Sequence, residues 1–220
     1  MEKLIKNYSL SDQIYNLLKE SIIKGNLNPG DRILELEVAK KYEVSQAPVR
    51  EALSRLKKEG FVIHHRNKGS FVSNLSNKNI EEVYSFRAAI EPLAISRAIE
   101  NITDKQIDKL YEIYEGMLTA GKANNLDEIR SYDVQFHSYI YQLADHHFMY
   151  QVWNDLIAIG DRIWYLNTKL YFENLEELAQ IHKPIVDSIA ERNTEKCISA
   201  FKEHMNYVRK KMNIDNTQKK

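Results

Sequence analysis

The sequence contains a single cysteine, Cys197, no run of 18 apolar residues, and no net charge, with 31 Lys+Arg against 31 Asp+Glu. One thiol cannot close a disulfide within the chain, so the fold does not depend on an oxidising compartment. Without a long apolar run there is no candidate membrane helix, and the first residues, MEKLIKNYSL, lack the apolar stretch of a signal peptide. A cytoplasmic protein with no membrane partner is therefore expected. Zero net charge would argue against a nucleic-acid partner if the charge were evenly spread, but it is not. Residues 1–77 carry 13 Lys+Arg against 9 Asp+Glu, net +4, and the remainder carries 18 against 22, net −4. A mildly basic front and a mildly acidic back point to two jobs.

The most structured signal lies in LEVAKKYEVSQAPVREALSRLKKEG, residues 36–60. It reads as two short helices joined by a tight turn, and the second has two unlike faces. Val49, Ala52, Leu53 and Leu56 recur at the spacing of a buried stripe, while Gln46, Ala47, Arg50, Ser54 and Lys57 fall on the other side. Ser45 is a candidate N-cap, Pro48 falls in the first turn, and Gly60 supplies a left-handed stop. A helix that is small and polar at its start and basic further along suits a DNA major groove, which offers base edges to its first turns. Upstream, Ser9 and Asp12 form a capping-box pattern before the helical series Ile14, Leu17, Leu18 and Ile22. Asn28-Pro29-Gly30 marks a turn before a short strand at Arg32 to Leu34, and two β-prone runs, 61–65 and 69–73, flank a basic tip as in a hairpin. Three helices and a hairpin make a winged helix-turn-helix.

The segments GNLNPGDRI, EVSQAPVREALSRLKKEGFV and GSFV resemble the DNA-binding domain of the GntR family of bacterial transcription regulators. That resemblance implies that Ser45, Gln46, Ala47 and Arg50 face DNA from the recognition helix, that Arg32 and Arg55 contact phosphates, and that the Lys68-Gly69 wing approaches a groove. Where this chain has Gln46 the family most often has Arg, which exchanges a guanine-preferring contact for one suited to adenine.

From Asn79 onward no strand signal of comparable strength appears. Helices are expected at about 79–99, 103–121, 126–144, 147–168, 175–191 and 194–212, an all-α bundle of about six helices. The fold class is thus mainly α. The expected domains are 1–75, a polar linker at 76–78 within SNLSNK, a helical effector-binding and dimerisation domain at 79–213, and a disordered tail at 214–220. Polar residues stand where the bundle should be apolar. Asp133 and His137 sit in the stripe of Ile129, Phe136 and Ile140; His182 shares a face with Leu178, Ile185 and Ile189; His204 lies between Phe201 and Val208. Singly, such a histidine is ordinarily a hydrogen-bonded core residue. Four together are costly to bury unless they satisfy one another, which a bound divalent metal does most completely. Pro184, two residues after His182, is expected to kink that helix.

This half resembles the FCD ligand-binding domain, the C-terminal partner of the winged helix in one branch of the same family. Its Asp-x-x-x-His, His and His match Asp133, His137, His182 and His204 in order, and it commonly places an arginine in the effector pocket where this chain has Arg87. Glu91, four residues on, is an equally good ion-pair partner for Arg87, and Arg130 is a second candidate for holding a carboxylate. The combined reading is a homodimeric regulator, not an enzyme, that binds a palindromic operator on double-stranded DNA. A small carboxylate effector would bind beside a divalent metal, zinc first, with nickel, manganese or iron suiting the same ligands. The competing readings are a metal-dependent hydrolase and a regulator whose metal only stiffens the bundle.

Overall fold

The computed structural model describes residues 9–74 and 76–211, so the tail expected at 214–220 lies outside the described residues. The chain divides into two compact units, Met1–Leu75 and Ser76–Lys220.

In the first unit, α1 (Leu10–Ile23) opens with a reciprocal capping box between Ser9 and Asp12. The short β1 (Arg32–Ile33) leads into α2 (Glu35–Lys41) and α3 (Gln46–Lys58), which are followed by β2 (Val62–His65) and β3 (Gly69–Val72). The turn between α2 and α3 is closed by Glu43 in the left-handed region, φ 55°. Gly60, φ 78°, ends α3 and turns the chain into the hairpin, a conformation in which glycine carries no Cβ penalty. The strands form an antiparallel sheet in the order β1-β3-β2, with Arg32 opposite Phe71 and His65 opposite Gly69. Ile14, Leu18 and Ile22 of α1 are buried, as are Val49, Ala52, Leu53 and Leu56 of α3 and Val62 and Val72 of the hairpin. The polar face of α3 is thereby left outward. Ser45 occupies the N-cap position of α3, but its side chain makes no capping hydrogen bond.

The second unit is helical throughout its described residues: α4 (Asn77–Glu100), α5 (Asp104–Lys122), α6 (Leu126–Leu143), α7 (His147–Tyr171), α8 (Glu176–Gln180), α9 (Lys183–Ala190) and α10 (Thr194–Lys211). Two expectations change. The linker expected at 76–78 is not irregular chain: Ser76 and Asn79 form a capping box, and α4 already begins at Asn77. Their side chains satisfy the first backbone N–H groups and pull the helix start upstream. The single helix expected at 175–191 is two, so the described bundle has seven helices rather than six. Pro184 lies in the first turn of α9, where its missing N–H costs nothing, and His182 stands at the joint as the N-cap residue. The backbone N–H of His182 donates to Ala179 O at 3.0 Å, a tight turn that reorients the chain after α8. The histidine thus lies between two helices instead of on the face of one.

Candidate functional site

In the first unit the outward face of α3 carries Arg50, whose side chain is 65% exposed. Its Nε donates to Glu35 Oε2 at 2.6 Å and its second terminal nitrogen to Gln46 Oε1 at 3.1 Å. Ser45 and Ala47 are exposed at the N-terminal end of the same helix. A recess of about 190 Å³ bounded by Glu35, Arg50, Ser54, Lys57, His64 and Ser70 separates α2 and α3 from the hairpin. His64 was not singled out by sequence reasoning, because a lone histidine in a β-prone run carries no signal until the hairpin faces it toward α3. Lys68 is exposed at the hairpin tip, and the Arg32 guanidinium lies 3.7 Å from where a Cβ on Gly69 would project. These two sequence-predicted groups are therefore neighbours.

Arg55 is placed differently from its expected partners. Its guanidinium donates to Asp12 of α1 at 2.6 Å and lies over the Tyr15 ring at 4.1 Å. Hydrogen bonds from Ser9 and then Arg55 hold the Asp12 carboxyl below its usual range. The side chain ties α3 to α1 and is not brought to the face of Arg50, because a step of five residues turns about 140° around a helix.

The second unit gathers the polar residues that the pattern placed in its core. His137 from α6, His182 from the α8–α9 joint and His204 from α10 are all buried, and one nitrogen from each lies within 4.8 Å of the others. Asp133 Oδ1 lies 3.2 Å from His182 Nε2 and 3.9 Å from His137 Nε2, while its other oxygen is held by Arg130. Arg130 also donates to Asp161 at 2.7 Å.

The tautomers follow from what the outer nitrogens meet. His182 Nδ1 lies 2.8 Å from Leu178 O and carries a proton there, so in the neutral ring the lone pair sits on Nε2, facing the Asp133 carboxylate. Two acceptors 3.2 Å apart repel unless a cation stands between them. Two such donors at this spacing are close enough for one small cation to be shared between them. Glu91 Oε2 lies 3.3 Å from His137 Nδ1, so this ring too turns its Nε2 inward. His182 Nε2 and His204 Nδ1 are buried without a hydrogen-bond partner among the described residues.

Electrostatics favour neutral rings at His137 and His204. Burial lowers His204 well below the usual histidine range and lowers His137 despite the opposing charge of Glu91. Burial would raise Asp133, yet its carboxyl is held well below its ordinary value, and Arg130 is the partner whose positive charge does this whatever the protonation of the imidazoles beside it. Neutral imidazoles, an ionised carboxylate and orphaned nitrogens fit a divalent cation, with the three histidines and Asp133 as its holders.

Arg87 lies beside this cluster. Its Nε donates to Glu91 Oε1 at 2.6 Å, a terminal nitrogen lies 3.4 Å from His137 Nε2, and the guanidinium stacks at 5.3 Å over Trp153. Glu91, only 3% exposed, thus links Arg87 to His137. Sequence reasoning saw it only as an ion-pair partner; its approach to His137 requires α4 and α6 to pack. Two small voids of about 20 Å³ each lie beside Arg87, and Tyr84, Arg87 and Trp164 line both.

Comparison with known proteins finds matches for both units. The model of the FCD domain matches residues 82–207, and the model of bacterial regulatory proteins of the gntR family matches residues 10–72. The chain is 28% identical over 199 residues to the HTH-type transcriptional repressor RspR of Escherichia coli, covering 89% of this chain and 86% of that protein. It is 30% identical to the Nta operon transcriptional regulator of Aminobacter aminovorans, covering 82% and 83%. A gluconate operon transcriptional repressor of Bacillus licheniformis is 26% identical, covering 94% and 85%. Among solved structures, that of E. coli McbR/YncC superposes with a TM-score of 0.72 at 22% identity, covering 94% of this chain and 99% of that one. At that identity the likeness speaks for the fold alone.

Proposed function

Because the chain belongs to the GntR family of bacterial regulatory proteins and carries an FCD domain behind its winged helix, it is a DNA-binding transcription regulator and not an enzyme, and we propose that it is a repressor whose grip on its operator is set by a metal-dependent effector site. The observation that carries the proposal is the convergence of His137, His182, His204 and Asp133, with two orphaned imidazole nitrogens, beside the guanidinium of Arg87. These four residues hold a divalent ion, zinc first by ligand type. When bound, the ion supplies a fixed positive centre that a carboxylate can meet. Arg87 is the polar clamp of the effector, and Arg130 orients Asp133.

On the DNA side, Ser45, Gln46, Ala47 and Arg50 read base edges from α3, and Arg32, Lys68 and Gly69 bring the hairpin to the backbone. Arg55 is left out of this set because Asp12 already holds it. Two copies related by a two-fold axis read a palindromic operator with half-sites about one helical turn apart. Phe86 and Leu93 on α4, and Phe148, Val152 and Ile159 on α7, leave apolar stripes exposed on two helices that pack together, which supports self-association. The effector changes operator affinity by no more than its difference in affinity for the bound and released states.

The test is a binding-site selection from random duplexes, followed by titration of the selected site with chelator-stripped and metal-loaded protein. One ion per chain, lost in an Asp133→Ala, His182→Ala variant, is the expected result. No metal uptake by the wild type would overturn the site. A metal that only braces the bundle is the second reading, favoured by voids no larger than a water molecule. Loss of thermal stability on chelation, with no carboxylate altering operator affinity, would select it.

A further inference from the structure

Thr168 of α7 is fully buried, and its hydroxyl has no hydrogen-bond partner among the described residues. A helical threonine ordinarily returns its Oγ1 proton to the carbonyl four residues earlier. This one instead borders the void that His182, His204 and Arg87 also line. Three orphaned polar atoms, Thr168 Oγ1, His182 Nε2 and His204 Nδ1, thus belong to residues that line one space. A metal ion accounts for the imidazoles but not for the hydroxyl, because a neutral threonine is not among the ligands such an ion ordinarily takes. A donor left idle in the interior costs free energy unless something accepts its proton.

The second void has a different chemistry. Val83, Trp153, Leu156, Ile157, Ile163 and Trp164 make up most of its lining, and several of the polar groups there already have partners. Trp153 Nε1 donates to Ser138 at 2.7 Å, Arg130 is shared by Asp133 and Asp161, and Arg87 is held by Glu91. A ligand rich in hydroxyl groups would enter this space with several of them unmet. A flat apolar body would not.

We propose that Thr168 is an effector-contacting residue, and that the effector is a small carboxylate with an apolar, flat body and not a polyhydroxylated acid. The carboxylate accepts the Thr168 hydroxyl proton in the void beside the histidines, and the body enters the tryptophan-lined void. Each void alone holds about one water molecule, so the ligand joins them by displacing Tyr84 and Trp164 from their shared wall, while Arg87, which lines both, remains its clamp. This inference rests on the reading of the three-histidine cluster as an effector site.

The chain has only two tryptophans, and both line the second void, so their emission reports its occupancy. Metal-loaded full-length protein is titrated with phenylacetate and with gluconate while tryptophan emission is followed, in the wild type, Thr168→Val and Thr168→Ser. The valine variant keeps the side-chain volume, and its melting temperature and bound metal are measured beside the wild type. Phenylacetate should shift the emission and bind at least about tenfold more tightly than gluconate, given the cost of burying unmet hydroxyls. Thr168→Val should weaken phenylacetate about five- to tenfold, the size of one hydrogen bond, with metal stoichiometry unchanged, and Thr168→Ser should restore it. Equal or tighter binding of gluconate would overturn the ligand class, and wild-type affinity in Thr168→Val would overturn the contact. If the wild type takes up metal but neither acid, the effector-site reading itself falls.

Discussion

Glu91 Oε2 lies 3.3 Å from His137 Nδ1, bridging α4 to the aspartate-histidine helix α6 through a carboxylate that is almost wholly buried. The other oxygen of the same group holds Arg87 at 2.6 Å. One residue thereby fixes both the tautomer of a metal-directed imidazole and the position of the guanidinium beside it.

Removing that carboxylate's charge while keeping its shape should loosen the site without dismantling the bundle. Glu91→Gln is expected to weaken metal affinity about ten- to a hundredfold, the usual effect of losing the partner behind a ligating histidine. Calorimetric titration of the stripped variant measures it. Affinity equal to the wild type would mean that His137 is oriented by packing alone.

Acid should destabilise the metal-free protein in a defined window. His137 and His204 have folded-state values below the ordinary histidine value, so at mildly acid pH the unfolded chain binds more protons than the native one. Stability is therefore full above about pH 6.5 and falls as pH drops below it toward the lowered folded values. Asp133, held well below its usual value, adds a further loss at lower pH. Thermal melts from pH 8 downward check this, and His204→Gln should flatten the upper part of the slope. Removal of the imidazole that leaves the slope unchanged would assign it to other groups.

Arg50 is poised by Glu35 and Gln46 on the outward face of α3. Arg50→Ala should cost about 1–3 kcal/mol of specific operator binding if the side chain makes a bidentate base contact. Gln46→Arg should change the base preferred at one position of each half-site. Footprinting and binding-site selection decide both, and an unchanged selection profile for Gln46→Arg would remove that residue from the readout.

Gly121, near the end of α5, is buried against the start of α8. A Cβ added there would come within 2.8 Å of Glu176 Cα, closer than backbone tolerates. Gly121→Ala should therefore destabilise the bundle by about 1–3 kcal/mol through overpacking, partly offset by alanine's better helix propensity. Denaturant unfolding measures the balance. A stabilised variant would show that α8 yields easily, as a helix of five residues could.

Much of this was written in the residues themselves. Apolar periodicity in Val49, Ala52, Leu53 and Leu56 determined which face of α3 is buried, and with it which face carries Gln46 and Arg50, because a helix has one period whatever it packs on. The helical pattern of the second half and the polar intrusions at Asp133, His137, His182 and His204 were legible for the same reason, whereas Pro184, read as a kink within one helix, stands in the first turn of a second one. Each is a local property of backbone sterics or side-chain polarity. Tertiary structure decided what local rules cannot reach. It brought histidines separated by 45 and 22 positions together, gave Glu91 to His137, gave Arg55 to Asp12, and left the Thr168 hydroxyl unpartnered beside a void. Those outcomes depend on which helices meet and at what height. Packing sets that through the shapes of many side chains at once, and no single stretch of sequence carries it.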